Sequence, residues 1–126
     1  MISLRRLKNL KKIAIIRCLK TSASCAGAGC LRVMYDKEKS FAQYGDEELR
    51  LMTMWTCNGC GESMLENQEG IRKKIERMKT LEVDVLHLSN CTRKKDEQGE
   101  KHLCPTIKAI ADELAASGIQ IVDGTH

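Results

Sequence analysis

The sequence is poor in aromatic residues and in proline, and it contains no long apolar run. Its 126 residues include one Trp, one Phe, two Tyr and one Pro. A membrane-spanning helix needs roughly 20 apolar residues. A secretory signal needs about 7–15 of them after a basic start, whereas Arg17 interrupts the run Ile13 to Ile16 after four residues. The sequence therefore predicts a cytoplasmic protein without a membrane span.

Positive charge is concentrated at the N-terminus, although the net charge of the chain is only +4. The basic residues of this segment are Arg5, Arg6, Lys8, Lys11 and Lys12. Such a segment can dock on an acidic partner, on nucleic acid or on an anionic membrane. Because no aromatic residues alternate with the charges, we expect a solvated arm and no nucleic-acid partner. We divide the chain into a basic extension, residues 1–10, and a single domain, residues 11–126.

Cysteine is the abundant exception, with seven residues in the chain. An odd number in a cytoplasmic protein indicates metal ligands or reactive thiols more than a disulfide framework. A chain of this length buries about two-thirds of its unfolded surface. We therefore expect a hydrophobic core to stabilise the fold, so that folding itself does not require a metal.

The apolar pattern predicts strands that alternate with helices. We expect strands at 12–17, 49–56, 83–88 and 119–122. Helices are expected in the first half of 31–44, at 65–80, and from Pro105 to Gly118, where proline suits a first turn and glycine a helix end. We expect a small-residue loop at 21–29 and a charged surface loop at 92–101. This order predicts an α/β fold: a four-stranded parallel sheet of flavodoxin-like order 2-1-3-4, with helices on both faces.

The cysteines follow the predicted strands. Cys18 follows the first strand, Cys57 and Cys60 follow the second in a Cys-x-x-Cys turn, and Cys91 follows the third. The carboxyl ends of parallel strands lie at one edge of a sheet, which is where open α/β folds bind ligands. We expect these four residues to converge there. Cys25, Cys30 and Cys104 lie in loops or helix starts at the same edge.

Four converging thiolates suit Zn²⁺ or an iron–sulfur cluster, because both prefer sulfur ligands. Our primary ligands are Cys18, Cys57, Cys60 and Cys91, and our second group is Cys25, Cys30, Cys104, His102 and His126. His126 ends the chain beyond the fourth strand, and Gly124 would let the backbone bend toward the site. His87 lies within a strand, so we expect a packed or hydrogen-bonded core residue there. The alternative for each cysteine is a small buried apolar residue.

A dithiol enzyme is the competing hypothesis. In it Cys57 attacks a disulfide, Cys60 resolves the intermediate, and a redox partner protein completes the cycle. Thioredoxin-like enzymes also place a proline opposite the Cys-x-x-Cys turn, but Pro105 instead follows Cys104 and opens a helix. A phosphatase loop of the form Cys-x5-Arg is excluded, because Ser24 stands where that arginine would be.

The ordered motifs resemble the CGGC domain family. They are Ile13 to Cys18, Cys25, Gly29-Cys30, Cys57 to Cys60, Cys91, Cys104-Pro105 and the closing Gly124-Thr125-His126. The resemblance covers about 11–126. It implies a small prokaryotic protein that binds metal through cysteine and histidine. The central Cys-Gly-Gly-Cys of the family is Cys-Asn-Gly-Cys here, and asparagine tolerates the left-handed backbone well enough to keep the turn. The charged insert between Cys91 and Cys104 looks long for the family and would affect access to the edge.

Overall fold

The computed structural model describes residues 10–58 and 68–125. Its central strand, β1, is Leu10–Arg17. Ile13, Ala14, Ile15 and Ile16 are fully buried in succession. An unbroken buried run is typical of a strand that is covered on both faces. The predicted first strand is confirmed.

Three further strands pair in parallel with β1 or its neighbour. They are β2 (Glu48–Thr56), β3 (Val85–Leu88) and β6 (Gln120–Asp123), and the sheet order is β2-β1-β3-β6. In the register, Ile16 of β1 lies beside Trp55 on one side and Leu88 on the other, and Leu88 lies beside Asp123. All four strands therefore end at one level, which we call the carboxyl edge. The predicted strand order is confirmed.

Helices cover both faces of this sheet, as predicted. In the described residues they are α1 (Leu19–Ser22), α2 (Ala28–Tyr35), α3 (Gln68–Thr80) and α4 (Pro105–Ala116), and a 3₁₀ helix spans Lys39–Tyr44. Successive residues of a strand point to opposite faces. Accordingly Ile13 and Ile15 pack with α2 and the 3₁₀ helix, whereas Ala14 and Ile16 pack with α3 and α4.

The two long helices begin and end for the reasons that the sequence indicates. Pro105 occupies the start of α4, where its missing amide hydrogen costs no hydrogen bond. Gly118, at φ +96°, follows the helix. On α3, Ile71, Ile75 and Met78 form the buried stripe. The α3 prediction from residue 65 begins outside the described residues, and its remainder is confirmed.

Two predicted loops contain regular structure, so those predictions were wrong in part. The predicted loop 21–29 contains the last two residues of the single turn α1 and, at its other end, the first two residues of α2. The charged segment 92–101 forms most of an antiparallel hairpin of β4 (Arg93–Lys95) and β5 (Lys101–Leu103). The Asp96 carboxylate accepts hydrogen bonds from the amides of Gln98 and Glu100, which closes the turn. Three-residue charged strands lack apolar alternation, so the hairpin leaves no periodic signal in the sequence.

None of the helices in residues 10–58 and 68–125 combines the length and the apolar character that a membrane crossing requires.

Candidate functional site

Cys18 and Cys91 meet at the carboxyl edge. Cys18 directly follows β1, and Cys91 lies in a 3₁₀ turn, Asn90–Thr92, just beyond β3. The amide of Cys18 donates a hydrogen bond to the Cys91 Sγ, at 3.2 Å. The two residues approach because β1 and β3 are neighbours, and the Ser89 amide extends their ladder by bonding the carbonyl of Ile16 at 3.0 Å.

A lysine from the hairpin stands against the Cys18 sulfur. Lys94 Nζ donates to Cys18 Sγ at 3.0 Å. Burial by itself would raise the pKa of the Cys18 thiol, but hydrogen bonds from Lys94 and from the Thr21 and Lys20 positions outweigh it and lower the pKa to about 7. A large share of Cys18 is therefore thiolate at neutral pH, which is the form that binds metals and attacks disulfides.

Cys30 is linked to Cys91 through a chain of hydroxyl groups. The Cys91 thiol donates to Ser89 Oγ at 3.4 Å, and the Cys30 Sγ lies 3.3 Å from both Ser89 Oγ and Thr125 Oγ1. Cys30, Ser89 and Thr125 are all buried. Cys30 therefore connects α2 to the end of β3 and to the C-terminal segment through hydrogen bonds. The Ser89 hydroxyl lies between its sulfur and the sulfur of Cys91.

Cys57 is buried at the end of β2, beside the same edge. Its amide donates to the carbonyl of Arg17 at 3.3 Å, which places it next to the backbone of Cys18. Lys74 on α3 donates to the Thr56 carbonyl at 2.8 Å and to Asn58 Oδ1 at 2.7 Å. Burial lowers the pKa of Lys74, and the nearby Cys57 partly opposes that shift. A cationic side chain thus accompanies Cys57, as Lys94 accompanies Cys18.

The remaining cysteines have different surroundings. Cys104 is buried in the core layer that contains Cys57, and its amide donates to the Thr92 carbonyl at 2.9 Å. Cys25 is exposed. A hydrogen bond from the Gly27 amide, helped by the guanidinium of Arg17, lowers the pKa of the Cys25 thiol. Cys60, a predicted primary ligand, lies outside the described residues.

His102, the predicted ligand histidine that the structure describes, does not group with the cysteine sulfurs. His126 lies outside the described residues. His102 is exposed on the hairpin, and its Nε2 lies 2.7 Å from Asp96 Oδ2. Its ligand atom lies within 4.8 Å of those of Asp96 and Glu100, in an exposed group without any cysteine.

His87 is a core residue, as the sequence analysis expects. It is fully buried and stacks on Phe41 with ring centroids 4.1 Å apart. The Gly124 carbonyl can only accept, so His87 Nδ1 donates to it at 3.0 Å, and Nε2 accepts from the Tyr44 hydroxyl at 2.6 Å. Burial lowers the pKa of His87 and raises that of Tyr44 to about 12. The neutral ring therefore anchors the segment that delivers Thr125 to Cys30.

Three of the residues that shape this edge escape the sequence analysis, and Thr125 enters it only as part of the closing motif. The three residues are Lys94, Ser89 and Tyr44. Lys94 belongs to the charged insert, which the sequence predicts to be a surface loop. Ser89 and Tyr44 are ordinary polar residues far apart in the sequence. Only Ser89 has a local signal. It lies two residues before Cys91, and the end of the predicted third strand places both residues at the carboxyl edge.

The cysteine sulfurs at the carboxyl edge are ligands that thiophilic metals prefer. Cys18, Cys57 and Cys91 supply sulfur from three neighbouring strand ends, and soft sulfur donors select zinc, copper(I) or iron–sulfur clusters. In the part of the chain that the structure describes, no three cysteine sulfurs lie within 4.8 Å of one another. The pair Cys18 and Cys91 is the closest connection that hydrogen bonds establish among them.

A family model matches nearly the whole chain. The model of the CGGC domain matches residues 12–126, which is nearly the whole sequence. No curated protein and no solved structure matches the chain.

Proposed function

The chain belongs to the CGGC domain family, and on that premise we propose that it binds zinc or an iron–sulfur cluster through Cys18, Cys57, Cys60 and Cys91. The contact between the Cys18 amide and the Cys91 sulfur carries the proposal. It brings together two cysteines that come from different strand ends, at the edge where parallel sheets bind ligands.

The charges around these thiols support the proposal. Metal ligation requires thiolate, and a neighbouring cation favours that form. Lys94 lies 3.0 Å from the Cys18 sulfur, and Lys74 hydrogen-bonds the residues on both sides of Cys57. Each of these two cysteines therefore has a lysine nearby that could balance the charge of a ligating thiolate.

The second group of cysteines and histidines would surround this site. Cys30 reaches Cys91 through the Ser89 hydroxyl, so it would orient a ligand through hydrogen bonds as outer partners commonly do. Cys25, Cys104, His102 and His126 complete the candidates of this group. A bound zinc ion would serve structure or metal transfer, and a cluster would supply one-electron chemistry for redox or metal sensing.

Metal analysis of the full chain tests the proposal. We expect anaerobically purified protein to contain stoichiometric zinc, or iron with visible cluster absorption. Cys18→Ser and Cys91→Ser should each lose most of the bound metal. Cys25→Ser removes an exposed cysteine of the second group, outside the four proposed primary ligands, and it should retain metal. Colourless protein that has neither iron nor zinc at stoichiometric levels would refute the proposal.

A thiol–disulfide oxidoreductase that uses Cys57 and Cys60 is the second candidate. The position of Lys74 beside Cys57 favours it, because positive charge promotes the attacking thiolate. It predicts that Cys57 in metal-free protein is alkylated fastest near neutral pH and that Cys57→Ser abolishes disulfide turnover with a redox partner protein. Tightly bound metal that blocks alkylation of Cys57 would count against it.

Residues 1–10 carry a separate proposal, namely a basic arm that precedes the domain. The family match begins at residue 12, and β1 begins at Leu10, so the last residue of this arm belongs to the strand. The arm would recruit an acidic partner while the metal serves structure. Unchanged association after deletion of residues 1–9 would argue against this role.

A further inference from the structure

The meeting of Cys18 and Cys91 has a second chemical consequence. The two residues are 73 positions apart, yet the Cys91 sulfur touches the amide of Cys18 itself. The Cys18 sulfur extends from the same residue as that amide. Side-chain rotation at these two residues therefore changes the separation between the sulfurs.

We propose that Cys18 and Cys91 are a redox pair that reduces low-molecular-weight disulfides and closes to an intramolecular disulfide. This activity uses a pair different from Cys57 and Cys60. It concerns two of the proposed metal ligands, but it operates in the metal-free chain and does not require that a metal binds.

Burial assigns the order of the two steps. Cys91 is partly exposed, whereas Cys18 is only 3% exposed. The first exchange therefore takes place at Cys91: its thiolate attacks one sulfur of a small disulfide RSSR, a Cys91–SR bond forms, the S–S bond of RSSR breaks, and RS⁻ leaves. Cys91 is thus the more accessible of the two residues to a bulky R group.

Cys18 then carries out the second exchange. Its thiolate attacks the Cys91 sulfur, the Cys18–Cys91 bond forms, and the second RS⁻ leaves. The protons of the two cysteine thiols end on the two RS⁻ groups. In sum two cysteines are oxidised and RSSR is reduced to two RSH.

The groups around the pair suit this division of roles. The Lys94 ammonium, 3.0 Å from the Cys18 sulfur, holds positive charge against the sulfur that attacks second. The Cys91 sulfur receives the Cys18 amide hydrogen at 3.2 Å and lies 3.4 Å from Ser89 Oγ. Cys30 is a poorer partner for Cys91, because its buried sulfur is held between the hydroxyls of Ser89 and Thr125.

Trypsin can separate the thiols of this chain. Cleavage after Lys and Arg leaves Cys18 in the peptide 18–20 and Cys91 in the peptide 80–93. Cys104 falls in 102–108. Cys25 and Cys30 share 21–32, and Cys57 and Cys60 share 51–72. A crosslink between the first two peptides therefore identifies the Cys18–Cys91 disulfide without ambiguity.

The test treats the full chain with oxidised glutathione in the presence of a chelator. Free thiols are then blocked and the chain is digested without reductant. We expect peptide 18–20 linked to 80–93. Cys18→Ser should accumulate glutathione on Cys91, and Cys91→Ser should leave Cys18 as a blocked free thiol. Cys25→Ser, which removes an exposed thiol outside the pair, should leave the crosslink unchanged.

Other outcomes overturn the proposal. They are an unlinked Cys18 in the wild-type chain, a link from Cys18 to another peptide, and glutathione on Cys18 in Cys91→Ser protein. Circular dichroism of each variant verifies its fold, and Cys91→Ala replaces Cys91→Ser where the serine variant is unfolded. A zinc-loaded sample separates the two proposals: a crosslink that forms equally well with zinc counts against the metal ligands and supports the redox pair, and protection by zinc supports both.

Discussion

The Lys94 ammonium lies 3.0 Å from the sulfur of Cys18, although one residue comes from a hairpin and the other from the end of the central strand. The hairpin is held over the carboxyl edge by its own strand pairing and by the ion pair between Arg93 and Asp123 at the end of β6. The charged insert therefore has a chemical role, since it carries the cation that faces the thiol.

We predict that Lys94→Met raises the pKa of Cys18 from about 7 toward its ordinary value of 9.0. The ammonium hydrogen bond is the largest of the influences that lower this pKa, and its loss leaves the burial penalty less opposed. A rise of one pKa unit would reduce the thiolate fraction at pH 7 by about fivefold. The pH dependence of iodoacetamide labelling in peptide 18–20 measures it.

Lys95→Met is the matched control for this substitution. Lys95 is exposed on the same strand, and it pairs in register with Lys101. Its loss should leave the labelling profile of Cys18 unchanged. An equal shift in both variants would show that net charge, and not the contact with Lys94, sets the pKa of Cys18.

We predict that Tyr44→Phe destabilises the fold by about 1–3 kcal/mol, because the buried His87 Nε2 loses its hydrogen-bond donor. Urea unfolding measures the change. Tyr35→Phe removes the same hydroxyl from a side chain that is 72% exposed, and it should change the free energy of unfolding by less than about 0.5 kcal/mol. Equal effects of the two substitutions would contradict the role of this buried bond.

We predict that stability falls as the pH drops below about 6.5, the ordinary pKa of histidine. Burial lowers the pKa of His87 in the folded chain, so between that lowered value and 6.5 the unfolded chain binds more protons. The contribution of His87 to the free energy of unfolding therefore rises with pH in this window and reaches its full size above it. Urea unfolding as a function of pH measures the slope.

Two histidine variants identify the group that causes this slope. His87→Gln removes the buried titrating ring, and we expect it to flatten the pH dependence. His102→Gln removes the exposed imidazole of the hairpin and should leave most of the slope in place. The reverse result would assign the effect to the pair of His102 and Asp96.

We predict that Gly27→Ala is more destabilising than Gly99→Ala. The two glycines have nearly the same backbone conformation, at φ +80° and +81°. A left-handed conformation costs a residue with a Cβ roughly 1–2 kcal/mol. At Gly27 the added Cβ would also lie 2.7 Å from Met54 Cε and 3.3 Å from Arg17 Cζ, whereas at Gly99 it meets open space. Equal losses in urea unfolding would show that Met54 moves aside freely.

Much of the fold follows from local sequence. The run Ile13 to Ile16 identifies a strand that is buried on both faces, and the stripe of Ile71, Ile75 and Met78 identifies the inner face of α3. Because a parallel connection requires a crossover, this alternation also predicts a parallel sheet, for which 2-1-3-4 is a common strand order. The arrival of Cys18, Cys57 and Cys91 at one edge is a direct result of that order.

The contacts that set the chemistry of the carboxyl edge, in contrast, join residues that are far apart in the sequence. Lys94 and Cys18 are 76 residues apart, and Tyr44 and His87 are 43 apart. Neither pair has a periodic signal, because each member is a single polar residue in a short or irregular segment. Only the packed chain selects these partners.

The sequence by itself determined that Cys18, Cys57 and Cys91 follow the ends of parallel strands, because hydrophobic burial and strand alternation are local properties of the sequence. The tertiary structure decided which groups face each thiol: Lys94 against Cys18, the Cys18 amide against Cys91, and Ser89 with Thr125 against Cys30. Charge and hydrogen bonding act over a few ångströms, so a thiol's reactivity depends on neighbours that only folding brings within that distance.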